Sequence, residues 1–371
     1  RGDHRGAEAA ALEATRHMVP QRRGWWMAAR ELALASGRLG DRNRLVELAS
    51  ELHNRRRSRE ASLEMVSALS TAAIGLYLVG EEEQADPLLD RIDEVAREAE
   101  VDDPAVVARV ARARAVRASL TVDPARSLES FRRSLEAFVR LGDDRGVCSL
   151  RRELGCAYAR LGDFHRSEAE LRLAVELADS LGLDDVSVGT RRELSLALGQ
   201  RGSLEEGCAV ARAALERLGP EGNGRLRSAC HEALARLLLE GGDADEARHH
   251  AAEAIEIAPD HGSRARALAT AAEIALAGDR VAAGGRQAHE ARLLLKRLGR
   301  LEEGEARIRW IYAEALAAEG RSKRAAQAIA EARARLMEQA QRIADTTWRQ
   351  RFLEQVPEHA RTVERAAEWT L

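Results

Sequence analysis

The stretch Glu153-Leu-Gly-Cys-Ala-Tyr-Ala-Arg-Leu-Gly-Asp-Phe164 decides the fold of this 371-residue chain. Its apolar residues recur at helical spacing, so the stretch predicts an amphipathic helix. Gly162 permits the positive φ that ends such a helix, and Asp163 is a typical N-cap for the next one. A second amphipathic stretch continues through Ala174. The segment therefore predicts two helices joined by a tight turn.

The same frame recurs along the chain at a period near 40 residues. Helix-ending positions are found at Gly2, Gly40, Gly80, Val122, Gly162, Gly202, Gly242, Gly278 and Gly320. Small residues hold one fixed place in the second helix of a unit, at Ala174, Ala214, Ala254 and Ala332. At such a place neighbouring helices approach closely. This recurrence predicts a stack of helix hairpins, and no strands are expected because alternating β-branched runs are missing.

The segment Leu154-Gly155-x-x-Tyr158-x-x-x-Gly162-Asp163-Phe164 resembles a tetratricopeptide repeat, of the type whose period is nearer 40 residues than 34. The resemblance covers about residues 2–336 and is strongest between 148 and 259. It implies an all-α, right-handed solenoid of helix hairpins, closed by a longer C-terminal helix pair. About eight repeats, the first beginning mid-repeat, are expected in residues 1–345, with a capping helix in residues 346–371.

The two ends of the chain differ from its middle. Residues 2–18 resemble the second half of a repeat, and an uncapped start predicts that more chain precedes Arg1 in the native protein. Residues 322–345 predict one long helix. Residues 346–369 predict a final helix whose apolar side chains fold back on the last repeat. The segment Arg342–His359 resembles the closing segment of large bacterial signalling proteins, in which a kinase or regulatory ATPase precedes such repeats.

Composition excludes several functional classes. With 58 Lys+Arg against 61 Asp+Glu, the net charge of −3 gives no general attraction to nucleic acid or to anionic membranes, so neither is expected as a partner. The first twenty residues lack the apolar centre of a signal peptide, which predicts a cytoplasmic location. Four cysteines without CxxC spacing indicate neither a disulfide framework nor a zinc site.

Catalytic and cofactor motifs are weak or missing. His249 and His250 are adjacent and point to different faces of a helix, so no metal site is predicted. Cys148 and Cys156 are interpreted as small core residues rather than nucleophiles. The glycine pair at Gly284 follows no predicted strand and cannot form a phosphate-binding loop. We therefore predict no enzyme activity and no cofactor.

One constellation suggests binding. In tetratricopeptide proteins the first helix of each repeat lines the concave surface, so the resemblance implies that a set of arginines faces a ligand there. These are Arg30, Arg112, Arg152 and Arg192, with Arg109 and Arg236 on further positions that face the groove. Guanidinium groups at regular spacing suit the carboxylates of an acidic partner. The alternative is pairing within the fold, for which Glu153 and Glu193 are available.

The leading hypothesis is a non-enzymatic protein-interaction module, the sensor or scaffold arm of a larger bacterial signalling protein, which binds a protein or peptide on its concave face. Two alternatives stay open. One is a peptide-sensing receptor resembling quorum-sensing regulators, although no DNA-binding helix-turn-helix is seen. The other is a region that positions substrate for a fused kinase or protease. Alanine-rich N-terminal edges also suggest self-association.

Overall fold

A computed structural model describes residues 3–20, 22–55, 62–98, 104–118, 124–299, 301 and 303–369. Within these ranges the chain forms nineteen helices and no strand, which confirms the predicted all-α solenoid class. The expected helix ends at Gly2 and Val122 lie outside the described residues. Within the described part of the chain, no helix has the length and apolar character needed to span a bilayer.

The chain divides into two compact units, Arg1–Leu150 and Arg151–Leu371. The helices up to this division are α1 (His4–His17), α2 (Arg23–Leu39), α3 (Arg42–Asn54), α4 (Ser62–Leu78), α5 (Glu82–Glu98), α6 (Pro104–Arg117) and α7 (Pro124–Leu141). The division itself falls within α8 (Asp144–Arg160). The remaining helices are α9 (Phe164–Ser180), α10 (Asp184–Gln200), α11 (Leu204–Leu218), α12 (Gly224–Glu240), α13 (Ala244–Glu256), α14 (His261–Ala277), α15 (Val281–Leu298), α16 (Glu305–Ala318), α17 (Ser322–Gln341), α18 (Thr346–Glu354) and α19 (Pro357–Trp369).

The turns inside the hairpins follow the chemistry that the repeat frame predicts. Gly162 has φ +77°, and the next residue, Asp163, donates its backbone N–H to the carbonyl of Tyr158 at 2.9 Å. The Asp163 side chain then accepts the N–H of Arg166 at 3.1 Å and caps α9. At the seventh turn, however, Gly278 has a negative φ and Asp279 takes the left-handed conformation with φ +56°. Aspartate tolerates that region better than most residues.

Small residues allow the helices to stack. Ala174, Ala214 and Ala254 are fully buried. Gly155 on α8 lies so close to α9 that a Cβ there would sit 2.6 Å from the side chain of Leu171. The packing that the sequence predicts for these positions is therefore present.

The C-terminal segment differs from the single final helix that the sequence predicts. The long helix α17 ends at Gln341, and residues 346–369 form two helices, α18 and α19, rather than one. The break falls directly before Pro357, which is the first residue of α19. Proline disfavours helical backbone at the residue before it and suits the first turn of a new helix, which explains the break.

Candidate functional site

In the second unit, the first helices of successive hairpins contact one another in series, α10 with α12, α12 with α14, and α14 with α16. Their shared surface is dominated by charged side chains. We call this surface the first-helix face and define it by Arg192, Glu232, Glu273, Arg307 and Glu314.

Arg192 is the centre of the charged network on this face. Its side chain is only 6% exposed, and one Nη atom lies 2.5 Å from the Glu193 carboxylate. The other donates to Glu303, in the turn before α16, and lies 3.8 Å from Glu232. A single guanidinium thus links α10 to an element three hairpins further along. Such a link requires the intervening hairpins to keep a fixed curvature.

Glu232 on α12 is equally buried, with 4% of its side chain exposed. One carboxylate oxygen accepts the hydroxyl of Thr270 at 3.0 Å and lies 3.8 Å from Arg236. The other oxygen is buried and has no hydrogen-bond partner, and the same is true of the Nε atoms of Arg192, Arg236 and Arg307. Unsatisfied buried polar atoms are costly, so the network holds capacity that the fold itself does not use.

A cavity of about 50 Å³ opens beside this network. Its charged lining consists of Glu232, Arg236, Arg266, Glu303, Arg307 and Glu358. Three carboxylates and three guanidinium groups therefore face one small space, with Ala269, Gly304 and Ile308 completing the wall. The volume accommodates a few water molecules or one carboxylate group.

The carboxylates in this cavity stay ionised. Burial raises the pKa of Glu303, but the charges of Arg192 and Arg266 outweigh burial and hold that pKa at about 2. The pKa of Glu358 is likewise lowered, because Arg236 more than offsets burial. The cavity therefore acts as a polar, charge-balanced site in a poorly hydrated place.

The two C-terminal helices cross the first-helix face. Trp348 of α18 stacks near Tyr158 of α8, with ring centroids 6.2 Å apart, and Arg351 lies 3.3 Å from the carboxylate of Asp163. On α19, Arg361 pairs with Glu273 of α14 at 3.3 Å.

One turn further along α19, Arg365 pairs with Glu314 of α16 at 2.8 Å. Glu358 lies at the start of the same helix and lines the cavity next to Arg236 of α12. Successive turns of α19 thus meet successive first helices of the stack.

The arginines that the sequence singled out are divided between the two units. Arg30, Arg109 and Arg112 belong to the first unit. Arg30 is half-exposed and pairs with its neighbour Glu31 at 2.5 Å, whereas Arg109 donates to the Ser67 hydroxyl at 3.0 Å. Arg112 is half-buried.

Arg152, Arg192 and Arg236 belong to the second unit. Arg192 and Arg236 approach the same carboxylate, Glu232, and the Nε of Arg152 is buried without a partner. Whether these arginines bind a partner stays a prediction.

Sequence reasoning missed Glu232, Arg266, Glu303, Arg307 and Glu358. Glu232 had a readable signal, because a further step of 40 residues from Arg152 and Arg192 arrives at it. Glu303 lies between two helices and Glu358 lies outside the repeats, so no periodic position identified either one.

The cysteines have the chemistry of core residues. Burial raises the pKa of Cys156 to about 12 and that of Cys230 to about 12, so these thiols stay protonated at neutral pH. No group of three or more potential metal ligands occurs among the residues that the structure describes.

A histidine pair makes stability depend on pH. His231 Nδ1 and His250 Nδ1 are 2.8 Å apart, and burial together with the charge of His250 lowers the pKa of His231 to about 4. In the unfolded chain a histidine titrates near 6.5, so below about pH 6.5 the unfolded state binds a proton that the folded state refuses. Stability contributed by neutral His231 is present above that pH and is lost as the pH falls towards 4.

We expect the free energy of unfolding to fall by about 1–2 kcal/mol between pH 7 and pH 5 through this residue. The test is urea unfolding at both pH values. His231→Gln should remove most of this loss, whereas the exposed His165→Gln should retain it. A His231→Gln variant with the wild-type pH dependence would contradict the assignment.

Comparison with known proteins agrees with this architecture. Residues 153–180 match the family model of the tetratricopeptide repeat, so the predicted resemblance is confirmed. The chain is also similar in fold to a Rap protein in complex with competence and sporulation factor, with a TM-score of 0.62 and 12% identity, over 93% of this chain and 97% of that one. No curated protein matches the sequence of the chain.

Two further solved structures have a similar fold. NprR in complex with its cognate peptide NprX has a TM-score of 0.56 and 13% identity, over 76% of this chain and 84% of that chain. A signal-transduction ATPase with numerous domains from Pyrococcus horikoshii, which has a tetratricopeptide repeat sensor, has a TM-score of 0.55 and 15% identity. That match covers 78% of this chain and 43% of the ATPase. At these identities the likeness concerns the fold.

Proposed function

Because the chain has the fold of tetratricopeptide-repeat proteins and matches one such repeat, we propose that it is a non-enzymatic protein-interaction module. In this proposal the first-helix face of the second unit binds a protein or peptide segment. The observation on which it depends is the cavity lined by six charged side chains, with buried polar atoms of Glu232, Arg236 and Arg307 that have no partner. A ligand with charged groups would satisfy them.

Its role in a larger assembly is the second part of the proposal. We propose that the module is the sensor or scaffold arm of a bacterial signalling protein in the cytoplasm. The fold shared with the repeat sensor of the Pyrococcus horikoshii ATPase supports this role. Each hairpin of a repeat array contacts mainly its neighbours, so a ligand that bridges several hairpins can change their stacking at low cost.

A peptide receptor is the second candidate function. The Rap protein and NprR structures contain a bound factor or peptide, and each shares its fold with most of this chain. In that case the ligand is a free peptide rather than a segment of a larger protein. Titration with a selected peptide and with a protein carrying the same sequence separates the two, because a receptor for free peptides should bind only the first.

The test is selection of ligands from a displayed library of random peptides on the full chain. Peptides that bind the first-helix face should lose about tenfold in affinity when Arg236 or Arg307 is replaced by lysine, which keeps the charge but loses the planar fork. Arg212→Lys is the matched control, because Arg212 on α11 pairs with Glu246 on an exposed surface of the second helices.

Thermal unfolding of each variant shows whether it is folded. Failure to enrich any peptide would overturn the proposal, and equal binding by the Arg236→Lys and Arg307→Lys variants would overturn the site.

A further inference from the structure

The first-helix face of the second unit already holds a ligand, and that ligand belongs to the chain itself. We infer that α18 and α19 are a removable internal ligand of this face, and that the partner which displaces them is a helix with a carboxylate at position i and basic groups at i+3 and i+7. This inference rests on the proposed function and adds the kind of partner and its regulation.

The spacing of the contacts on α19 supports the stated pattern. Glu358, Arg361 and Arg365 lie at i, i+3 and i+7, so they share one face of the helix. They meet the cavity arginines, Glu273 and Glu314 respectively. Charge alternates in register on both sides, as between a recognition surface and its ligand.

The attachment of α19 is weak enough to be reversed. Arg361 and Arg365 remain 49% and 41% exposed while paired, and exposed ion pairs are worth about 0–1 kcal/mol each. The buried residues of α19 are His359, Thr362 and Ala366, none of which is a large aliphatic or aromatic side chain. Little apolar area therefore holds this helix to the stack.

Glu358 does not complete the cavity it enters. Among the described residues, no ion-pair partner lies within 4 Å of its carboxylate, although Arg236 and Arg307 line the same space. The Nε atoms of both arginines are buried without an acceptor. A carboxylate that reaches them directly would bind better than the internal one, which gives a partner the means to compete.

A glycine gives direct experimental access to this contact. At Gly162 an added Cβ would lie 2.7 Å from Cβ of Gln355 and 2.9 Å from the carbonyl oxygen of Arg351, so Gly162→Ala must push α18 away. Gly202 holds the same place one repeat later, with φ +84° against +77°, and a Cβ there meets nothing within 4 Å. Both variants strain the turn equally, and only the first displaces α18.

The probe is a fluorescently labelled peptide of residues 346–371, added to the full chain. We expect Gly162→Ala to bind it at least about tenfold more tightly than Gly202→Ala, because the internal copy competes less. Amides of α18 and α19 should also exchange hydrogen faster in Gly162→Ala alone. Equal peptide binding by the two glycine variants would overturn the inference.

Charge-swapped probes test the assigned pattern. A Glu358→Lys peptide should lose about tenfold in affinity for Gly162→Ala, since it places a cation among arginines. A Glu364→Lys peptide, with the same change in charge on the exposed side of α19, should bind like the unchanged probe. Equal losses would show that only net charge matters and would overturn the pattern.

The two proposals fail separately. If library peptides bind the wild type through Arg236 and Arg307 but gain nothing from Gly162→Ala, the interaction site stands and the internal ligand does not. If the labelled segment binds Gly162→Ala while no library peptide is enriched, the internal ligand stands and the proposed function fails.

Discussion

Replacing Arg192 with methionine is expected to destabilise the second unit by about 3–5 kcal/mol, because it leaves Glu232 and Glu303 buried without their central counter-ion. Methionine keeps much of the side-chain volume, so the loss reports charge rather than a cavity. The measurement is urea unfolding followed by circular dichroism. Hydrogen exchange in α10, α12 and α16 identifies the affected helices.

Two further variants make this result specific. Adding Glu303→Gln to Arg192→Met should recover part of the loss, because it removes one of the uncompensated charges. Arg172→Met removes an arginine that also bridges two carboxylates, Glu168 and Glu206, but is 41% exposed, and it should cost only about 0–1 kcal/mol. Similar losses in Arg192→Met and Arg172→Met would contradict the role given to Arg192.

The repeat frame could be predicted from sequence because it depends on local chemistry. The left-handed turn at Gly162, the cap at Asp163 and the close approach at Ala174 each follow from one residue and its spacing. Even the break before Pro357 follows a local rule, although the amphipathic pattern across residues 346–369 hid it.

The charged site could be predicted only in part because it depends on contacts across the fold. The repeat position shared by Arg152 and Arg192 holds Glu232 in the next repeat, so the ladder changes sign where a row of arginines was expected. Glu303 and Glu358 reach the same place from a turn and from a helix outside the repeats. Periodicity identifies which positions face one another, but it does not place elements that lack the period.

In the first unit, the largest expected loss comes from Trp26. Its side chain is fully buried beside Trp25, with ring centroids 4.9 Å apart in an edge-to-face arrangement. We expect Trp26→Ala to cost about 3–5 kcal/mol of unfolding free energy, since it leaves a large cavity within a close-packed unit. The adjacent Met27 is 48% exposed, so Met27→Ala should change stability by less than about 0.5 kcal/mol.

Phenylalanine substitutions separate packing from hydrogen bonding at this tryptophan pair. Trp25 donates its indole N–H to the Thr15 carbonyl at 3.1 Å, whereas the indole N–H of Trp26 is buried without a partner. Trp25→Phe therefore loses a bond that joins α2 to α1 and leaves a carbonyl unpaired, while Trp26→Phe removes an unsatisfied donor. Urea unfolding should show the larger loss for Trp25→Phe. A larger loss for Trp26→Phe would mean that ring size, rather than the polar atom, decides the stability of this contact.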